Sequence, residues 1–105
     1  MPLTMKTKYL FNLGQVVATP GALQIITEHQ IDYVRLLARH VSGDWGVVSP
    51  DDKQANDNAA KFGLRIISAY PIDYTKPLKG HGDNCIWVLT EADRSATTIL
   101  LPDEY

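Results

Sequence analysis

Residues 65–105 constrain the fold more than any other part of the chain, because they read as three β-strands in series. Residues 64–72 are apolar on both faces. Ile86-Trp87-Val88-Leu89 and Ile99-Leu100-Leu101 follow as further runs of β-favouring residues. A long loop over 73–84 separates the first two runs and the polar stretch 90–98 the last two, and the C-terminal third is expected to fold as a meander. Its last turn is unusual. Where a hairpin needs a few Gly, Asn or Asp residues, Thr90-Glu91-Ala92-Asp93-Arg94-Ser95-Ala96-Thr97-Thr98 carries both charge signs and four hydroxyls.

Upstream, residues 8–19 suit one strand, or two short strands broken at Gly14, with Tyr9, Phe11 and Leu13 on one face. Thr19-Pro20 is a cap followed by proline at the first helical position. The helix it opens, over 20–29, is expected to bury Leu23 and Ile26, with Ala22 and Ile25 beside them. Asp32 caps a second helix, where Ile31 can staple onto Leu36 and Ser42-Gly43 ends the run. Its apolar stripe reads as Val34, Leu37, Ala38 and Val41, with Arg35, Arg39 and His40 outside it. Ser49-Pro50-Asp51-Asp52 starts a third helix, over 50–62, whose weak apolar face is Ala55, Ala59 and Phe62, and Gly63 stops it. The expectation is a single α+β domain over 1–105. An N-terminal strand and two to three short helices precede a three-stranded antiparallel meander, the helices lie on one face, and the first strand pairs with a meander edge.

Several function classes are disfavoured. A formal charge of −2 and a pI near 5.8 suit a general nucleic-acid binder poorly, so nucleic acid is not the favoured partner. No apolar run approaches the length of a membrane span, and the start of the chain lacks the apolar core of a signal peptide. One cysteine, Cys85, excludes an internal disulfide framework and fits a reducing compartment, so a cytoplasmic bacterial protein is expected. His29, His40 and His81 are far apart, and His81 with Cys85 supplies too few ligands for zinc, so no metal is expected. Neither phosphate-loop fingerprint occurs, and no cofactor is expected. Pro50-Asp51-Asp52-Lys53 resembles a nuclease signature in spelling alone, because these residues open a helix. Lys76, Lys79 and Gly80-His81-Gly82 make a flexible basic loop that suits either solvent or a phosphate contact.

The candidate binding residues are Trp45, Arg65, Tyr70, Glu91, Asp93, Arg94, Thr97 and Thr98. Trp45 is either a plug over a helix junction or an exposed anchor. Trp87 is expected in the core. Glu91 or Asp93 paired with Arg94 would stiffen the tip; alternatively Arg65, Tyr70, Arg94 and the threonines would hold a phosphate or RNA backbone at the sheet rim.

Three stretches are distinctive: 13–23, Gly43-Asp44-Trp45-Gly46, and 65–70. With the block over 90–95, 97–102 and 104–105, they give the chain a resemblance to small uncharacterised proteins of plasmids and integrative elements. The resemblance implies a genomic setting and no established activity. Small, acidic, motif-poor proteins of such elements often bind and block host defence complexes, as anti-CRISPR and anti-restriction proteins do. A non-enzymatic, protein-binding accessory factor is therefore the first expectation. The alternative is a small metal-independent RNase-like toxin with a RelE- or barnase-like sheet, using Arg65, Tyr70, Glu91, Arg94, Thr97 and Thr98 in acid–base chemistry.

Overall fold

The computed structural model describes residues 9–77 and 84–105. Strand β1 (Gln15–Ala18) leads into helices α1 (Pro20–His29), α2 (Tyr33–Val41) and α3 (Pro50–Phe62). Strands β2 (Ile66–Pro71), β3 (Cys85–Thr90) and β4 (Ala96–Leu100) follow, and a 3-10 turn spans Pro102–Glu104. The α+β expectation holds at the level of class. The sheet order is β1-β4-β3-β2. Neighbours within β2, β3 and β4 are antiparallel, but β1 lies parallel to β4, so the sheet is mixed. The parallel neighbour follows because α1, α2 and α3 return the chain so that β2 starts in the direction of β1, and two antiparallel reversals then bring β4 back to that direction.

The local start and stop signals behave as read. The side chains of Thr19, Asp32 and Ser49 accept bonds from Ala22, Arg35 and Asp52 backbone N–H groups. Gly63 ends α3 in the left-handed region. The strand over 8–19 is shorter than expected. Described pairing begins at Gln15, after Gly14 turns with φ +66° against the Arg94 and Ser95 backbone, where a Cβ would stand 2.4 Å from the Arg94 carbonyl oxygen.

The helix faces are rotated from those expected. In α1, Ala22 is buried and Leu23 is exposed. In α2, Leu36, His40 and Val41 go inward while Val34 and Ala38 face out. In α3, Asn56 and Ala59 are buried and Ala55 and Phe62 are not. The principal core joins Ala22 and Leu36 to Tyr70, Ile86, Val88 and Ile99, with Ile26, Ile31 and Leu37 around it. A second cluster sets Trp45, Ala59 and Ile66 together with Phe11 and Val48. Trp87 is half-buried on the opposite sheet face, edge-on to Tyr105 at 5.6 Å, rather than in the core.

Candidate functional site

The tip of the β3–β4 hairpin is built to hold the fold. Arg94 sits in the left-handed region (φ 60°), a conformation that strains residues with a side chain. Its guanidinium repays this by donating to the carbonyl oxygens of Leu64 (2.7 Å), Glu91 (3.1 Å) and Ala59 (2.9 Å). Ala59 belongs to the last turn of α3, so the cation lies at the negative end of that helix dipole, on a carbonyl that also accepts from the Gly63 and Leu64 N–H groups. The Phe11 ring lies 5.2 Å from the same guanidinium. The expected Glu91 or Asp93 ion pair with Arg94 does not occur: Asp93 is bonded by the Ser95 side chain and by the Ser95 N–H, which hold its carboxyl below the usual range. Charge-assisted bonds to backbone are a stronger use of a guanidinium than an exposed ion pair.

Beneath the tip runs a buried chain of polar side chains. His40 Nδ1 meets Ser68 Oγ at 2.6 Å, and Nε2 meets Thr90 Oγ1 at 2.9 Å. Thr90 Oγ1 meets Thr97 Oγ1 at 2.7 Å, and Thr97 donates to the Leu13 carbonyl at 2.7 Å. Each hydroxyl has one proton, so the terminal acceptor fixes the directions as far as His40 Nε2. Thr97 donates to Leu13, Thr90 to Thr97, and His40 Nε2–H to Thr90. With the imidazole neutral, Nδ1 is the acceptor from Ser68. Burial, with the Arg94 charge nearby, pushes the His40 pKa down to about 3. All four side chains are fully buried, and the arrangement holds α2 on the sheet with no route for a substrate.

The residues read as candidates therefore separate. Trp45 is a plug: it is 2% exposed and donates to Asp57 at 2.9 Å. Tyr70 is buried and donates to the Asp44 carbonyl, while Arg39 stacks 4.6 Å over its ring. Thr97 is buried in the histidine chain, and Thr98 is half-buried on the other sheet face. Arg65 reaches Tyr105 through its hydroxyl and ring, away from Arg94. Glu91 and Asp93 are exposed. The phosphate-holding set of Arg65, Tyr70, Arg94 and threonines is not brought together. Among the described residues no group of three His, Cys, Asp or Glu side chains could share a metal ion, and no described helix is long and apolar enough to cross a membrane. Lys79, Gly80, His81 and Gly82 lie outside the described residues.

What the sequence reading passed over is the side of β1 turned away from β4. Gln15 N–H donates to Ser95 and Thr19 N–H to Ile99, so the odd-numbered residues face β4. By alternation Val16 and Ala18 turn their N–H and C=O groups outward, and no described strand lies beside them. Val16 and Val17 are 41% and 42% exposed, and Leu23 and Tyr33 beside them are 53% and 48% exposed. Val16, Leu23, Ile26, Tyr33 and Ile99 line one apolar hollow; a separate one is lined by Phe11, Val34, Leu37 and Val41. Exposed apolar surface that is contiguous, beside unpaired backbone, marks a surface for another chain. The sequence signal was present: Gln15-Val16-Val17-Ala18 has neither charge nor proline, the usual guards of an edge.

Comparison with protein families, curated proteins and solved structures gives no match.

Proposed function

We propose that this protein acts without catalysis, by binding protein through the β1 side of its sheet. The observation that supports this reading is the combination there of outward-facing Val16 and Ala18 backbone groups with the exposed side chains of Val16, Val17, Leu23 and Tyr33. An extended segment laid along β1 would gain main-chain hydrogen bonds from the edge and apolar contact from the hollow over α1. The binding chemistry is thus an added strand with alternating apolar side chains. The resemblance to mobile-element proteins makes a host defence complex the first partner to test, as an anti-CRISPR or anti-restriction factor would engage one.

The test compares capture by wild type, Val17→Lys and Glu91→Ala from a bacterial host, with RNA integrity followed in parallel. A partner held by wild type and Glu91→Ala but lost by Val17→Lys is expected. RNA cleavage by the purified chain, or a partner whose capture depends on Glu91 and not on Val17, would overturn the reading.

A further inference from the structure

We infer that the strand filling the β1 edge is β1 of a second copy, joining two sheets about a twofold axis through Val17. This rests on the reading of β1 as the binding side and names its occupant. The outward backbone groups belong to Val16 and Ala18, symmetrically placed about Val17. In an antiparallel pairing of two identical edges, Val16 of each copy faces Ala18 of the other. Both pairs exchange two hydrogen bonds, and no outward group of the strand is left over. Val17 then meets its own counterpart as the close, non-bonded pair on the open sheet face, which covers the side chain that is otherwise 42% exposed. On the helix side, Val16 and the neighbouring Leu23 and Tyr33 are carried toward the same residues of the other copy.

Charge permits this. Residues 15–18 and the hollow lined by Leu23, Ile26, Tyr33 and Ile99 contain no ionisable group except the Tyr33 phenol. A twofold contact therefore sets no like charges together, and the whole chain carries only −2. Antiparallel pairing also closes: a twofold contact uses the edge once on each copy and stops at two, whereas parallel head-to-tail addition would not. The far edge of the sheet, at β2, is already occupied within the chain, so the assembly cannot extend through it.

Sedimentation or light scattering of the purified chain, over a dilution series from micromolar to submillimolar, reads the association directly. Wild type is expected to reach twice the 11.7 kDa chain mass, and Val17→Lys, which places two ammonium groups at the axis, to remain at the single mass. Val17→Cys supplies the second readout. Cα atoms of a non-bonded antiparallel pair stand about 4.5 Å apart, within disulfide range, so mild oxidation should link two copies. Thr98→Cys, one strand inward on the same face, should not link. A wild-type mass that stays single throughout, or a dimer indifferent to Val17→Lys, overturns self-pairing. If the mass stays single while Val17→Lys still loses a host partner, self-pairing fails and the protein-binding reading stands. If the mass stays single and no partner depends on Val17, both fail.

Discussion

At the β2 edge, the outward backbone groups of Ile67 and Ala69 are both occupied within the chain, whereas at the β1 edge those of Val16 and Ala18 face no described strand. The Asn56 carboxamide accepts from Ile67 N–H at 3.3 Å and donates to Ile67 C=O at 2.8 Å. One residue pair further along, Ala69 donates to Trp45 C=O at 3.1 Å and accepts from Val47 N–H at 2.8 Å. The turn approaches so closely that a Cβ on Gly46, which has φ +79°, would lie 1.9 Å from the Ala69 oxygen. An unpaired edge templates association. This chain closes one edge with a glycine turn and a buried amide, and its other edge strand carries no charge.

The sharpest way to break this comparison is Gly46→Val. It puts a branched side chain into the Ala69 carbonyl at a left-handed position, and a loss on the order of 3 kcal/mol or more in urea unfolding is expected, with the β2 edge opened. Acid should act next. His40 titrates near 6.5 when unfolded and at about 3 when folded, so below pH 6.5 the unfolded chain takes up the proton first. Stability is therefore full above pH 6.5 and falls by about 1.4 kcal/mol per pH unit as pH drops, about 3 kcal/mol by pH 4.5. Below that, Asp44 and Asp57, held low by Arg39 and by the Trp45 N–H, add losses of the same sign as they protonate. Urea midpoints measured from pH 7 to 4.5 should slope for wild type and be flat for His40→Gln.

Asn56→Ala strips both Ile67 bonds from a nearly buried position and should cost about 2 kcal/mol. Faster hydrogen exchange at Ile67 but not at Val88 would place the loss at that edge. Arg94→Ala removes the clamp on α3 and should cost a similar ~2 kcal/mol, recovered only in part by Lys, which lacks the fork that reaches Ala59 and Leu64 together. A loss under ~0.5 kcal/mol would return the tip to candidacy as a binding site. Smallest is Val17→Lys at low protein concentration, where a change within about 0.5 kcal/mol is expected at an exposed position. Unfolding of that variant would show that an apolar residue at Val17 is needed for the single chain to fold.

Local signals were legible because their partners are close in the chain. Thr19, Asp32 and Ser49 each cap an N–H three residues on, and Gly63 needs only its own backbone freedom. The helix faces were not. The stripe Val34, Leu37, Ala38 and Val41 looked better than one containing His40, yet His40 goes inside because Ser68 and Thr90, distant by 28 and 50 residues, saturate both ring nitrogens. Thr97, read as a binding residue, is interior for the same reason, and so is Asn56: buried polar groups are acceptable once paired, and the pairing is tertiary. The tip drew attention because it is chemically dense, but Arg94 turns its charge onto carbonyls as far off as Ala59.

By itself, then, the sequence determined the helix starts and stops, the C-terminal strands and the α+β class, since each follows from hydrogen bonding and periodicity within a few residues. Only the tertiary structure decided that β1 runs parallel to β4, that His40 is interior and neutral, and that one sheet edge is closed while the other meets no described strand. Those outcomes depend on which distant groups arrive beside a backbone N–H, a carbonyl or an imidazole. Desolvation makes a buried polar group costly without such a partner and acceptable with one.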